Sequence, residues 1–288
     1  MSARRLNLPY LSGRGFTLVE AVVVIAIAGI IAAMLAVFIR APVEAYIDTT
    51  RRARLTELAD TALRRMARDL QAALPNSVRI TAVGGSTYLE FIPVVGGARY
   101  RQYPTAGSAG DVLDFATTDS AADLLGPVPV YGAGLGAVVF NLGPGSGADA
   151  YAGNNRAAVT SANAVDGLFS NDAAPHTLTF AAVQFPLASP GARVHLVNTP
   201  VTYECVPNAA NPALGVLRRH VGYGFFVAQP TPPAAASSLL AAQVAECNLT
   251  YDPDVTRMRT GLVTLWLRLE ESGESIRLVH QMHVENAP

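Results

Sequence analysis

The sequence predicts an α+β protein: one long N-terminal α-helix followed by a head whose sheet is mostly antiparallel. Three observations carry this expectation. Residues Phe16 to Ile39 form an apolar run of 24 residues with a single charge, Glu20. A helical stripe continues beyond it to about residue 74. From residue 76 onward the texture changes to short β-like runs divided by Gly and Pro.

Composition is consistent with that division. The chain has 288 residues, half of them hydrophobic and 15% charged. That suffices for a large core, a membrane segment or both. All 21 basic residues are Arg and the formal net charge is −1, so no basic surface points to nucleic acid. No internal repeat is present.

The N-terminal segment MSARRLNLPYLSGRG is short and polar, with Arg4, Arg5 and Arg14. The run that follows is long enough to cross a hydrocarbon core of about 30 Å at about 1.5 Å per residue. The arginines ahead of it predict a cytoplasmic N-terminus. A secretory signal has a shorter apolar stretch and a small-residue cleavage site after it. A plain signal anchor fits the length but gives no reason for Glu20. A carboxylate embedded near one end of a lipid-facing helix costs about 3 kcal/mol and marks a functional position.

Gly15-Phe16-Thr17-Leu18-Val19-Glu20 resembles the prepilin motif of the type IV pilin-like family, the class III prepilins. The resemblance implies that a prepilin peptidase cuts after Gly15 and N-methylates Phe16. It implies that Glu20 pairs with the N-terminal amine of a neighbouring subunit, an attraction strengthened where water is excluded. The expected organisation is a cleaved leader over 1–15, a transmembrane and filament-core half-helix over 16–39, an amphipathic half-helix over 40–75 and a β-rich head over 76–288. The expected location is a bacterial inner membrane, single-pass with the head in the periplasm, and then the pilus surface. The partners implied are the prepilin peptidase, other major and minor pilins, an inner-membrane assembly platform and membrane lipid before assembly. No cofactor, metal or enzymatic activity is expected.

Pro42 predicts a kink or short break, because the residue before proline is biased away from helix. Past it, Val43, Ile47, Leu55, Leu58, Ala62, Met66 and Leu70 form the apolar stripe. Charges cover the other face, with Asp60 and Arg64, and Asp69 with its neighbours, placed for i,i+4 pairs of the favoured order. Pro75-Asn76-Ser77 ends the helix.

In the head, Val78–Val83, Thr87–Val94, Arg99–Tyr103, Val112–Ala116, Thr177–Phe185, Arg193–Glu204, Val216–Phe226 and Cys247–Tyr251 read as strands. Residues 117–175, with Gly132–Gly136 and Gly143–Gly147, read as long loops. Ser237 or Ser238 is placed to cap a short helix over Leu239–Glu246. The chain closes on a hairpin: Val263, Leu265, Leu267 and Leu269 alternate with polar neighbours, Glu271–Glu274 turns, and Ile276 to Val284 returns.

Cys205 and Cys247 are too few for a structural zinc site. In an oxidising periplasm they read as a disulfide, with two independent buried thiols as the alternative.

Candidate catalytic patterns fail. Gly132-x-Gly134-x-x-Ala137 formally fits a dinucleotide fingerprint but opens a short strand, not a helix. No G-x-S-x-G elbow occurs. His280 and His283 fall on opposite faces of a strand. His176, His195 and His220 are isolated. Asp252-Pro253-Asp254 offers two carboxylates without the spacing of a calcium loop and reads as a solvated turn.

Mature size favours a low-copy minor pilin or pseudopilin over a major pilin. Ala73–Arg79, Tyr88–Ile92, Arg99–Arg101, Thr199–Cys205, Gly261–Leu265 and the terminus from His280 resemble minor pilins of the mannose-sensitive haemagglutinin (MSHA) pilus. That resemblance implies a part in pilus initiation or a tip complex. An adhesive or ligand-binding tip module using 117–175, and a pseudopilin of type II secretion, are the alternatives.

Overall fold

The computed structural model describes residues 15–107, 109–253 and 260–287. Gly15 to Thr17 lead into helix α1, Leu18–Gln71. The chain divides into two compact units, residues 1–51 and 52–288.

In the first unit every described residue up to Tyr46 is exposed, including Phe16, Ile25, Val37 and Phe38. The helix runs through Pro42 without a break, contrary to the sequence expectation. Proline removes one i→i−4 bond and crowds the preceding turn, at a cost of about 3 kcal/mol. Strong helix formers on both sides outweigh that loss. Two turns later, the Thr49 and Thr50 hydroxyls donate to the carbonyls of Ala45 and Tyr46, at 2.8 and 2.9 Å.

In the second unit α1 becomes one-sided. Leu55, Ala59, Ala62, Leu63, Met66, Ala67 and Leu70 are buried. The expected stripe held Leu55, Ala62, Met66 and Leu70 but missed Ala59, Leu63 and Ala67. The helix ends at Gln71, before the Pro75 stop. Asp60 pairs with Arg64 at 2.7 Å. Asp69 pairs with Arg65 at 3.2 Å, in the less favourable order along the helix and not the favoured one expected, because its partner lies one turn before it.

The strands follow: β1 Arg79–Val83, β2 Ser86–Phe91, β3 Val94–Tyr100, β4 Asp119–Pro127, β5 Gly136–Val139, β6 Arg156–Ala158, β7 Phe169–Ser170 and β8 His176–Val183. Next come β9 Arg193–Val197, β10 Val201–Val206, β11 Val216–Val221, β12 Ala236–Ala242, β13 Val244–Asp252, β14 Thr260–Glu271 and β15 Glu274–Glu285. They form three sheets. The first has the order β1-β2-β10-β11-β12, and the second is β13-β14-β15. The third is β6-β5-β9-β3-β4-β7, with β8 also on β4. The pairings within all three are antiparallel.

One core joins the buried helix face to the first two sheets, through Leu89, Phe91, Tyr203 and Leu217 of the first and Leu249, Val263, Leu265, Leu267 and Leu269 of the second. Each large side chain fully buried there contributes about 1.5–3 kcal/mol. Polar anchors fix the packing. The Tyr203 hydroxyl donates to the Asp69 carboxylate at 2.7 Å, and Arg219 Nε donates to the same oxygen at 2.8 Å. Burial, reinforced by the Asp69 charge, pushes the Tyr203 phenol well above its ordinary pKa. Arg52 and Arg54 pair with Glu274 and Glu271 at the β14–β15 turn.

The third sheet has its own core, including Tyr100, Leu124, Leu178, Phe180, Phe185 and Leu196. The two lobes are stitched where β2 passes to β3 and β9 passes to β10. The expected single strand Arg193–Glu204 is therefore two, because the chain leaves one sheet and enters another across Asn198–Pro200. Between the lobes lie Leu74, Ile92, Val138, Ala150, Tyr151 and Val197. Asn76 adopts a left-handed conformation there, with φ 59°. Its side-chain amide donates to the carbonyls of Asn141 and Asn286, at 2.9 and 3.2 Å. Asn141 Nδ2 donates to Pro75 O at 2.7 Å.

Three more expectations are corrected. Residues 117–175 are not long loops, since β4, β5, β6 and β7 lie there. β5 is buried at all four positions, with Ala137 and Val139 in one core and Val138 in the other, so it shows no alternation. Residues 112–116 form no strand. The Asp114 carboxylate accepts from Ala116 N at 2.7 Å and from the Thr117 hydroxyl at 2.6 Å, which turns the backbone locally. The expected helix over Leu239–Glu246, capped by Ser237 or Ser238, is strand: β12 completes the edge of β11. Edge pairing there outweighs the helix propensity of a Leu- and Ala-rich stretch. Gln243, at φ 62°, then redirects the chain into β13.

Cys205 of β10 and Cys247 of β13 are disulfide-bonded, with their Cα atoms 6.6 Å apart. The bond ties the first sheet to the second across 42 residues of sequence. Constraint on a loop of that size lowers unfolded-state entropy by the equivalent of about 4 kcal/mol.

Leu70 is fully buried, so Leu70→Ala is expected to destabilise the head by about 2–5 kcal/mol in denaturant unfolding, while Val37→Ala on the exposed half-helix leaves it unchanged. Replacing both cysteines with Ala is expected to lower the unfolding free energy by about 4 kcal/mol under oxidising conditions, and reductant added to the wild-type protein should reproduce most of that loss.

Candidate functional site

The N-terminal turn of α1 is built by its own sequence. Thr17 precedes the helix, and its hydroxyl accepts the backbone N–H of Glu20 at 3.2 Å. Its carbonyl accepts the N–H of Ala21 at 3.1 Å. Thr17 is therefore the N-cap and Glu20 the third helical residue, the spacing of a capping box. That role of Thr17 was readable as T-x-x-E before an apolar run and was missed.

The cap places Glu20 in the first turn, where a carboxylate complements the positive end of the helix dipole. Glu20 is exposed, and its carboxylate makes no hydrogen bond or ion pair among the described residues. Gly15 and Phe16 are also exposed and lie just outside the cap. Gly15, Phe16 and Glu20 thus sit together at one helix end. Of the expected leader 1–15, residues 1–14 lie outside the described residues. Among the described residues, α1 is the one helix long and apolar enough to cross a membrane.

Several ionisable groups of the head are engaged in structure. Glu90 is fully buried and ion-paired to Arg79. Burial raises its carboxyl pKa, and Arg79 opposes the shift. The Tyr223 hydroxyl donates to Glu90 at 2.9 Å, and burial followed by the Glu90 charge raises the Tyr223 pKa. Arg79 also donates to the carbonyls of Val227 and Phe226 at 2.6 and 2.9 Å and stacks over Tyr151. The arrangement latches the segment after β11 onto the outer face of the first sheet.

The histidines do not converge. His220 Nε2 lies 2.8 Å from the Glu204 carboxylate, and His176 Nε2 lies 2.8 Å from the Tyr131 hydroxyl. On β15, His280 is half-buried and His283 exposed, on opposite faces as expected. His195 has a buried Nε2 atom without a hydrogen-bond partner. Gly136 and Ala137 of the formal dinucleotide pattern lie in β5, where no helix can present amides to a phosphate. Among the described residues no group of three or more His, Cys, Asp or Glu side chains gathers for a metal. Asp252 ends β13, while Asp254 lies outside the described residues.

Residues 12–36 match the family model described as the prokaryotic N-terminal methylation motif. No curated protein matches the chain. No solved structure matches it either. The motif and the exposed apolar helix that bears it together support a type IV pilin-like prepilin, with an N-terminal segment suited to membrane anchoring and then to assembly with other pilins.

Proposed function

We propose that this chain is a minor subunit of a type IV pilus of the MSHA kind, taking part in pilus initiation or a tip complex. The observation that carries the reading is the Thr17-capped start of an exposed apolar helix, with an unpartnered Glu20 in its first turn. Prepilin peptidase would cut after Gly15 and methylate the new N-terminus at Phe16. That ammonium would lie one residue outside the cap, at the positive end of the dipole, where a cation is disfavoured. The Glu20 carboxylate of an adjacent subunit would relieve both problems at once. Each charge lowers the other's burial cost when helices bundle away from water.

Before assembly the helix would sit in the inner membrane with the head in the periplasm, in reach of the assembly platform. A large head with two lobes suits a low-copy position better than a subunit repeated along a shaft. On this reading, the segments named above resemble MshO among minor pilins. The capping pseudopilin of type II secretion typically lacks the Glu, so retention of Glu20 favours a position that docks on a neighbour. A pseudopilin elsewhere in a secretion system would share the same N-terminus. An adhesive role is favoured by one feature, a cavity on the third sheet partly lined by residues of 117–175.

Glu20→Ala is expected to leave the head folded and the chain in the inner membrane, yet to reduce its recovery in sheared pili by about tenfold or more, the equivalent of at least 1.4 kcal/mol of docking energy. Normal incorporation would contradict the docking role. Deletion of the gene is expected to abolish surface pili, as counted by electron microscopy. Intact pili with lost attachment would favour the adhesive reading.

A further inference from the structure

On its outer face the third sheet carries a cavity of about 680 Å³, within the range of small-molecule sites. Strand β3 contributes Gly97 and Arg99, β9 contributes Arg193 and His195, β4 contributes Leu125, Gly126 and Pro127, and β7 contributes Phe169.

The register makes this arrangement unusual. Arg99 lies directly opposite Arg193, and Gly97 directly opposite His195. Like charges facing each other across neighbouring strands are destabilising. Neither guanidinium makes a hydrogen bond or ion pair among the described residues. Elsewhere in the head, Arg79, Arg101, Arg219 and Arg268 each face a carboxylate. Glu285 lines an adjoining hollow with His195 and Gly97, but its carboxylate accepts the N–H of Ala287.

The rest of the cavity is apolar or bare. Gly97 leaves the space opposite the His195 ring open: a Cβ there would lie 3.6 Å from His195 Nδ1. Gly126, at φ +89°, holds a left-handed turn that a side chain would strain. Phe169 is 60% exposed, and with Leu125 and Pro127 it forms an apolar wall beside the two cations.

We propose that this cavity binds a small-molecule carboxylate carried on a compact apolar body. Arg99 and Arg193 hold the carboxylate, and Leu125, Pro127 and Phe169 cover the body. The two arginines, opposed in register and unfavourable there without a counter-charge, gain one from the ligand, and charge-assisted hydrogen bonds to a carboxylate are among the strongest available. The site is independent of the pilus-assembly reading, since it lies in the head and uses nothing of the N-terminal motif.

The test uses the full chain in lipid nanodiscs, titrated with benzoate by saturation-transfer NMR against empty nanodiscs, with benzyl alcohol and inorganic sulfate as comparison probes. Saturable benzoate binding in the millimolar range is expected, weakened about tenfold or more in the Arg99→Ala/Arg193→Ala double variant. The thermal midpoint of that variant is expected to equal or exceed the wild-type value, because the mutual repulsion is gone. Absence of saturable binding would overturn the proposal. So would benzyl alcohol binding as tightly as benzoate, which removes the need for charge, or sulfate doing so, which removes the apolar wall. A lowered midpoint with benzoate binding unchanged would make the arginines structural and overturn it as well.

Discussion

The structure depends on an apolar surface that the chain itself leaves uncovered. Water disfavours a helix whose first half is hydrophobic on all sides, and from Gly15 to Tyr46 every residue is exposed among the described residues. Only lipid or a bundle of similar helices can. Placing a carboxylate in the first turn of that segment then restricts the acceptable surroundings to those that supply a cation. The Thr17 cap fixes where that carboxylate stands, by satisfying the Glu20 amide that an embedded helix end would otherwise leave open.

The second half of the same helix answers to a different solvent. Its buried face is narrow and its opposite face is charged, and two sheets close over it. Asp69 accepts from Tyr203 and Arg219 while pairing with Arg65 of its own helix, so one side chain ties helix to sheet through two neighbours. The Cys205–Cys247 bond ties those two sheets to each other.

How much of this was legible depended on whether the governing contacts are local. Gly15 to Glu20 could be read because the motif is contiguous and its charge is anomalous where it stands. The β14–β15 hairpin could be read because one face is buried, which forces period-two alternation. β5 could not, since both faces are covered and alternation disappears. β12 reads as helix by composition, and only the open edge of β11 makes it a strand. The passage through Pro42 went the other way, with a local rule outweighed by the helix around it. Arg99 and Arg193 are ordinary surface residues in sequence, and their opposition exists only once β3 and β9 pair. The division of the head into two lobes was invisible for the same reason, since Ile92–Pro93 and Asn198–Pro200 interrupt what read as continuous strands.

The central claim is that the N-terminal helix is a processed assembly element. The most direct measurement is the intact mass and N-terminal sequence of the protein extracted from membranes of cells that contain prepilin peptidase. The account predicts a chain that begins at Phe16 with one added methyl group on its amine. A chain that retains Met1, in cells whose other prepilins are processed, would contradict it and leave a signal-anchored protein with no route into a filament.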